Sequence, residues 1–478
     1  MKKIYFLIGF AVVALVLINL NWAGSSEELR LKEKRNELVS TWIDNNGYWI
    51  KMAEQGLAEL NPEMTPAPAI YTGSRILANS VRTMDSPDVP VTNENSTQSE
   101  NSVFVDPRQP DTLLNSNNST SLPGGSITLY GANDFFSFDA AETWGGEIAG
   151  AGGPNSGDPS TAISLSGRWY VGYISSGGGQ GVSYSDDQGE SWTSKLVASA
   201  GGGLLDKNHM WIDNSSSSPY EGSLYNAWTP FNAIYDSEIA LSYSHDEGES
   251  WSAPINVSAA VNAGSHNQGV NLSTGPNGEV YAVWAIYDSW PMDENAIGFA
   301  RSFDGGETWE DATRIIEDIR GIRNTTTSKN MRVNSFPVAA VDISNGPNSG
   351  NIYVVWTNIG IPGVNSGSDK DVYMIKSSDQ GETWSEPIRV NQDPAGLGKE
   401  HYFPWITCDP ANGALSVIFY DDRNVNSTQC EVFCANSYDA GETWEDFKVS
   451  DVAFTPSPIS GLASGYFGDY LGISANDG

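Results

Sequence analysis

The sequence is poor in positive charge and in histidine. It has 25 Lys and Arg against 59 Asp and Glu, a formal net charge of −34, and 4 His. This deficit argues against nonspecific binding to nucleic acid or to an anionic membrane face, because both depend on clustered positive charge. An anionic ligand would approach against a repulsive mean field, so its binding would need a local group of Arg or Lys.

Cysteine is scarce too, with only Cys408, Cys430 and Cys434. Three cysteines cannot all pair within one chain, so a disulfide framework is excluded, and Cys430 with Cys434 could form a local bridge or remain two buried thiols. A metal site there is disfavoured, because no His-rich segment lies close in sequence. Long helix-forming stretches are few, whereas 49 Gly, 24 Pro, 16 Trp and 20 Tyr favour many short strands joined by tight turns.

The first 24 residues predict a signal peptide or a membrane anchor. Lys2 and Lys3 precede an apolar run over residues 4–18, which is almost long enough to remain as an anchor; we favour cleavage near Ala23. Residues 25–60 predict one or two helices, and residues 61–99, rich in Pro, Ser, Thr and Asn, predict an extended linker. A compact domain is expected over residues 100–478, in an exported protein.

One octapeptide pattern, Ser-x-Asp-x-Gly-x-x-Trp, recurs through this domain. Five copies are intact and a sixth, over residues 137–144, has Ala141 in place of Gly. The Asp carboxylate can accept hydrogen bonds from backbone N–H groups in a tight turn, Gly tolerates φ > 0 there, and Trp packs between neighbouring sheets. We therefore expect the turn at Ala141 to be the most distorted, and we assign structural roles to the six Asp residues: Asp139, Asp187, Asp246, Asp304, Asp379 and Asp439.

Each repeat also holds an apolar strand followed by an aromatic-rich one, so that four antiparallel strands form one unit. Such units predict an all-β fold, a six-bladed β-propeller with a short helical N-terminal extension. The segment 465–475 resembles another first strand. It either closes the ring against the first blade or begins a truncated seventh blade, and we slightly favour the truncation.

Strand parity places the functional site at one end of the propeller channel. If the first strand is innermost, the repeated turns lie on the far face, and the residues that enter each first strand or follow each second strand converge at the channel mouth. Arg332, which ends a basic stretch in an acidic protein, is the first choice for ligand contact, and Arg423 could supply a second guanidinium. The expected convergent set also includes His209, His266, His401, Asp206, Glu400, Asp422 and Tyr470.

The repeated pattern resembles the Asp boxes, or BNR repeats, of the sialidase (neuraminidase) superfamily, and the match spans residues 100–478. The resemblance implies three arginines on a substrate carboxylate, an Asp acid/base, and a Tyr nucleophile assisted by a Glu. Carried onto this sequence, it implies Tyr470 as nucleophile, Glu400 as its base, and Asp206 or Asp422 as acid. The Arg-Ile-Pro element that the family places near its first blade is absent, and Arg108 or Arg168 is a poor substitute.

Three functions follow as hypotheses. The first is an exported sialidase-like glycosidase that acts on terminal acidic sugars of extracellular glycans, requires no cofactor and leaves open a Ca²⁺ among its carboxylates. The second is a noncatalytic propeller that binds glycans or proteins. The third is a lyase of anionic polysaccharides, which would use His209, His266, Tyr402 and Arg332 for proton transfer and charge neutralisation. A membrane is expected as a partner only through an uncleaved N-terminal segment.

Overall fold

The computed structural model describes residues 87–93, 97–121, 128–148, 150–151, 155–261, 264–323, 327–459 and 465–477. The predicted export signal, the predicted N-terminal helices and most of the predicted linker lie outside these residues. Among the residues described, no helix has the length and apolar character to cross a bilayer. The described strands form six antiparallel sheets of four strands each.

The strands are taken here by their place in each sheet. The first strands are β1 (Thr97–Val105), β5 (Ser160–Ile163), β9 (Leu204–Ile212), β13 (His266–Thr274), β17 (Val338–Val341) and β21 (His401–Cys408). The second strands are β2 (Leu113–Ser121), β6 (Trp169–Ile174), β10 (Leu224–Phe231), β14 (Val280–Tyr287), β18 (Ile352–Ile359) and β22 (Leu415–Asp421). The third strands are β3 (Thr128–Tyr130) with β4 (Phe135–Ser137), then β7 (Gln180–Ser185), β11 (Ala240–Ser244), β15 (Ala296–Ser302), β19 (Lys370–Ser377) and β23 (Glu431–Ser437). The fourth strands are β8 (Thr193–Ala198), β12 (Ile255–Asn256), β16 (Thr313–Ile316), β20 (Ile388–Arg389) and β24 (Glu445–Lys448).

The sheets are arranged as a ring. The first strands contact one another in the order β1, β5, β9, β13, β17 and β21, so they line a central channel, and the later strands of each sheet lie progressively outward. In the first sheet, β3 and β4 both pair with β2. The predicted six-bladed propeller of four-stranded antiparallel blades is therefore confirmed.

Each Asp box forms the same corner after the third strand of its blade. In the fifth blade, Ser377 Oγ lies 2.7 Å from Asp379 Oδ1, and Asp379 accepts hydrogen bonds from the Thr383 N–H at 2.9 Å and hydroxyl at 2.6 Å. These bonds, from Thr383 first and then from Ser377, lower the pKa of Asp379 to about 2. The corner lies at the opposite end of the blade from the channel mouth, as strand parity predicts.

The corner at Ala141 keeps the geometry of the others. Ala141 has φ of 67°, close to the 78° of Gly441, and its N–H donates to Ser137 Oγ at 3.0 Å. Asp139 still accepts the Thr143 N–H at 2.9 Å. The expectation of a distorted first turn is therefore wrong: the chain keeps the corner and accepts a strained alanine, at a cost of about 1 kcal/mol.

The box tryptophans pack between adjacent blades. Trp384 of the fifth blade lies edge-on to Phe299 of β15 in the fourth, with ring centroids 5.3 Å apart. The same indole packs on a core cluster that includes Tyr281 and Val354. Burial of such aromatic surface joins each blade to the previous one.

The segment 465–477 runs beside β1 and has no assigned strand. The Val105 N–H donates to Ser474 Oγ at 3.1 Å, and Asn476 Nδ2 donates to the Asp106 carbonyl at 3.1 Å. This placement corresponds to the ring-closing alternative, and the described residues form six blades rather than part of a seventh. The three cysteines are free thiols, so Cys430 and Cys434 form no local bridge.

Candidate functional site

Five of the six blades have a residue with positive φ in their first strand or just before it, near the channel mouth. These residues are Glu100, Asp158, Lys207, Gly269 and Phe403, with φ of 56°, 57°, 50°, 74° and 54°. In β1, β9, β13 and β21 the strand register shifts at this point, as in a β-bulge. Bulges redirect side chains, and a left-handed residue other than Gly costs about 1–3 kcal/mol, so such strain concentrates where function requires a fixed geometry.

The redirected side chains meet as a mouth cluster of charged and phenolic groups. Its members are Glu100, Asp158, Asp206, Lys207, Arg332, Tyr466, Asp469 and Tyr470, each at most 8% exposed. Lys207 Nζ lies 4.1 Å from the centre of the Tyr470 ring. Burial lowers the pKa of Lys207, and the four carboxylates of the cluster act to raise it. The cluster thus holds four acids and two bases in a space with little water, which makes their interactions strong.

A tyrosine and a glutamate are paired within this cluster. The Tyr466 phenol donates to Glu100 Oε1, and Asn118 Nδ2 donates to Glu100 Oε2. Above the same phenol, the guanidinium of Arg332 lies 4.6 Å from the ring centre and 4.0 Å from Asp469 Oδ1. The pair therefore combines a phenol, a proton acceptor and a positive charge in one place.

Burial shifts the acidities of this cluster. It raises the pKa of Glu100 well above the ordinary value, and the neighbouring Asp158 raises it further. The pKa of Asp158 rises for the same reason, by burial and then by the charge of Asp206. Because a raised pKa lets these carboxyls keep their protons to higher pH than usual, either of them is suited to act as a proton donor.

An aromatic flank adjoins the cluster and consists of His266, Trp290 and Arg323. The His266 and Trp290 rings are 3.7 Å apart, and the Arg323 guanidinium lies 4.6 Å from the Trp290 ring centre. His266 Nε2 lies 3.1 Å from Gln268 Oε1, and Gln268 Nε2 donates to Asp206 Oδ2 at 3.4 Å. Hydrogen bonds through Gln268 thus link the flank to the mouth cluster.

Glu400 and Asp422 belong to a different ion-pair network. Lys329 Nζ lies 2.8 Å from both carboxylates, and Lys370 Nζ lies 2.8 Å from Glu400. Burial acts to raise the pKa of Glu400, but the hydrogen bonds from Lys329 and Lys370 outweigh it and the pKa is lowered. The Tyr470 phenol donates instead to the Pro159 carbonyl at 3.0 Å, so the expected pairing of Tyr470 with Glu400 is wrong.

His401 and Arg423 form a third cluster. His401 is fully buried and lies within 3.4 Å of Asp371, Asp393 and Asp421. Burial opposes a charge on the imidazole, yet these carboxylates raise the pKa of His401 to about 10. Arg423 pairs with Asp421 at 2.6 Å and with Asp446 at 2.6 Å, both in the sixth blade. His401 lies between the fifth and sixth blades, because Asp371 belongs to β19 and Asp393 to the connection before β21.

Asp371, Asp393 and His401 also have the spacing of a metal site, with ligand atoms within 4.8 Å of one another. Arg389 already lies 2.9 Å from Asp371 and 2.8 Å from Asp393. A cation would have to displace that guanidinium and the proton on His401, so this arrangement does not fit a Ca²⁺.

His209 is not at the mouth. β9 runs from Leu204 at the mouth to Ile212 at the opposite end, and His209 stands two residues, roughly 7 Å, beyond Lys207 of the mouth cluster. Its ring accepts a hydrogen bond from the Leu272 N–H at 3.0 Å and stacks on Trp211. Burial lowers the pKa of this histidine to about 3, so it is neutral. The predicted convergence at the mouth therefore holds for Asp206, Arg332, Tyr470 and the neighbouring His266, and fails for the others.

The three-arginine arrangement of the resemblance is not built from the expected residues. Arg332 contacts the Tyr466 ring, Arg423 is held in the sixth blade, and Arg108 pairs with Asp106 at 2.9 Å at the other end of the channel. Sequence reasoning also missed Glu100, Asp158 and Tyr466. Asp158 stands directly before Pro159, as Phe336 and Phe403 precede Pro337 and Pro404 at equivalent places, and that recurrence could have revealed it.

No protein-family model matches the chain, and no curated protein matches it. Among solved structures, an ulvan lyase bound to its saccharide is 11% identical, with 75% of this chain and 86% of that chain covered and a TM-score of 0.46. A Penicillium chrysogenum α-L-arabinanase is 12% identical over 70% and 91%, with a TM-score of 0.43. A Hadza microbial sialidase is 16% identical over 73% and 68%, with a TM-score of 0.40. At these values the likenesses carry no argument about activity.

Proposed function

We propose that the chain is an exported, sialidase-like glycoside hydrolase that acts on terminal acidic sugars of extracellular glycans, with the mouth cluster as its active site. The observation that carries the proposal is the hydrogen bond from the Tyr466 phenol to Glu100 beneath the Arg332 guanidinium. An acidic protein that takes an anionic sugar needs local positive charge, and Arg332 and Lys207 provide it.

The roles follow from the contacts. Tyr466 oxygen attacks the anomeric carbon while its proton passes to Glu100, and protonated Asp158 gives its proton to the departing glycosidic oxygen. Water then attacks the tyrosyl glycoside, Asp158 takes a proton from that water, and the phenolate regains its proton from Glu100. A phenol suits this attack because it avoids placing another carboxylate beside the carboxylate of the sugar.

The aromatic flank suits the rest of the sugar. Trp290 is half-buried beside the mouth cluster, with His266 and Arg323 against its ring. Its remaining exposed surface could contact the sugar. The lyase hypothesis receives less support, because Tyr402 is fully buried against Phe403 and Tyr420, and because His209 accepts the Leu272 N–H beyond the mouth cluster.

The test is release of an aryl aglycone from an aryl α-sialoside by the purified full-length chain. We expect Tyr466→Phe to lower kcat at least about 10³-fold, because the nucleophile is lost while the fold remains. Tyr220→Phe, on the face opposite the mouth, is the matched control and should retain the wild-type rate. Full activity in Tyr466→Phe would refute the assignment.

A noncatalytic glycan-binding propeller is the second candidate, and one observation favours it. The mouth cluster is almost completely buried and its charges are largely paired with each other, as in a structural network. In that case the wild type would bind a sialylated oligosaccharide in calorimetry without releasing product. Arg332→Ala would weaken that binding while turnover stayed absent.

A further inference from the structure

The channel holds a second cavity at the end opposite the mouth, here called the far cavity. It has a volume of about 120 Å³ and is bounded by the distal ends of the inner strands and by residues 472–476. The side chains that matter below are Phe104, His209, Trp211, Asn271, Trp405 and Cys408. Between the far cavity and the mouth cluster, Trp405 and Tyr470 have ring centroids 5.7 Å apart and obstruct the channel.

Two hydrogen-bond donors on the wall of the far cavity face each other. His209 Nδ1 accepts the Leu272 N–H at 3.0 Å, and a neutral imidazole has one donor, so its proton is on Nε2. Asn271 Oδ1 accepts the Ala339 N–H at 3.0 Å, which fixes the amide and turns Nδ2 toward His209. Nε2 and Nδ2 are 3.2 Å apart, so two N–H groups meet with no acceptor for either among the described residues.

Both residues are nearly inaccessible, at 5% and 3% exposure. A buried donor without an acceptor costs about 1–3 kcal/mol, and the chain carries this cost in a wall that faces an open volume. An oxygen placed in the cavity beside both nitrogens would satisfy both donors. The wall therefore specifies a ligand with an acceptor oxygen at this position.

The remaining wall combines aromatic and aliphatic side chains with Ser, Thr and Asn groups, and it carries no formal charge. His209 stacks on Trp211 with centroids 6.0 Å apart, and Trp405 lies 5.7 Å from His209. The Trp211 indole N–H already donates to Thr274 Oγ1 at 3.2 Å. None of the cavity-lining residues is Lys, Arg, Asp or Glu, so a charged ligand would lose its hydration without gaining a partner.

We propose that the far cavity binds one neutral molecule of about the size of a six-membered aromatic ring, with its carbonyl or ether oxygen between His209 Nε2 and Asn271 Nδ2. The volume is slightly below the roughly 150 Å³ of an apolar cavity known to hold benzene. The ring would lie against Trp211 and Trp405. This site is separate from the mouth cluster and does not depend on the proposed hydrolase activity.

Cys408 provides the assay, because this half-buried thiol lines the far cavity, whereas the buried Cys430 and Cys434 do not line it. Full-length protein is treated with a small neutral thiol reagent, with or without acetophenone, and modification of each cysteine is followed by mass spectrometry. We expect saturating acetophenone to slow modification of Cys408 at least about fivefold. Modification of Cys430 and Cys434 should be unchanged.

Ethylbenzene has the same shape without the oxygen and tests the two donors. We expect it to bind about tenfold more weakly than acetophenone, as the loss of one good hydrogen bond predicts. Equal affinity of the two probes, or no protection of Cys408 by either, would overturn the proposal.

A variant tests the location. Ala475 lines the far cavity from a half-exposed segment, so Ala475→Trp should fill the cavity without disturbing the blades and should abolish protection by acetophenone. Ala475→Ser is the matched control and should bind as the wild type does. Wild-type affinity in a folded Ala475→Trp protein would place the ligand elsewhere and overturn the assignment.

Discussion

The corners and the channel mouth of this propeller are built from equivalent positions in successive blades, but they differ in one respect. Every corner repeats the same Ser, Asp and Trp and the same hydrogen bonds, including the corner at Ala141. At the mouth, the equivalent positions hold an acid in two blades, then Lys207, Gly269 and Phe403. The residues of the corners are repeated because every corner has the same structural role. The residues at the bulges differ from blade to blade, and together they form a site that no single blade could form.

The largest effect is expected at the mouth. Lys207→Met would remove the positive charge that lies among four buried carboxyl groups, those of Glu100, Asp158, Asp206 and Asp469. Breaking a buried ion cluster in this way lowers the free energy of unfolding by about 3–5 kcal/mol. Urea unfolding measures it. Lys195→Met, which removes a solvent-exposed pairing with Glu249 at 2.8 Å, is the control and should lower the free energy of unfolding far less.

The same variant has a predicted pH dependence. Glu100 and Asp158 have raised pKa values, so the folded chain keeps protons that the unfolded chain loses, and these groups make stability fall as pH rises above about 4. Without the Lys207 charge the pKa values should rise further. Lys207→Met should therefore be more destabilising at pH 8 than at pH 5, and the opposite order would show that the ammonium does not stabilise these carboxylates.

A corner should be less sensitive than the mouth. Asp304→Ala removes acceptors for the Thr308 N–H at 2.8 Å and for Ser302 Oγ at 2.8 Å in a well-solvated turn, so we expect a loss of about 1 kcal/mol. Burial acts to raise the pKa of Asp304, but the bonds from Thr308 and Ser302 lower it, so this stabilisation is present above pH 4 and disappears as pH falls. Asp311→Ala, which removes an exposed acid outside the corner, should leave the urea midpoint unchanged. An equal loss of stability in Asp311→Ala would show that the Asp of the box has no special stabilising role.

The smallest effect is expected at the one irregular corner. Ala141→Gly relieves a φ of 67° and should stabilise the fold by about 0.5 kcal/mol, after the entropy that Gly adds to the unfolded chain. Ala253→Gly, in an exposed loop outside the positive-φ set, should destabilise by a similar amount. Thermal melts of the two variants should therefore shift in opposite directions.

The fold could be predicted because the corner chemistry is local. Each box specifies its corner within eight residues: an Asp accepts hydrogen bonds from a residue four positions later, and the following Trp packs between adjacent blades. The recurrence of the box sets the number of blades. The termini of the inner strands were harder to judge. The sequence predicts that the domain begins at Glu100, directly after the linker, whereas β1 begins at Thr97 and Glu100 is a central member of the site.

The site could not be read from the sequence to the same extent, because its neighbours come from different blades. Asp206 and Arg332 were identified through their place ahead of an inner strand, and the structure places both in the mouth cluster. Nothing in the sequence indicates that Lys329 and Lys370 form ion pairs with Glu400. Nor does it indicate that Asp371 and Asp393 lie beside His401. Those pairings depend on which acids and bases meet after the ring forms, and an unpaired charge at a strand end looks the same as a paired one.

The bond between Tyr466 and Glu100 joins residues 366 positions apart. A contact of that sequence separation is among the last that a growing chain can make. An unfinished or nicked copy, in which the two halves of the pair have not met, would have every corner in place and still lack the phenol–carboxylate couple. Under our functional proposal such a chain would have no hydrolase activity, and it would not act on a different substrate. Measured turnover would therefore count only chains whose ring of blades is closed.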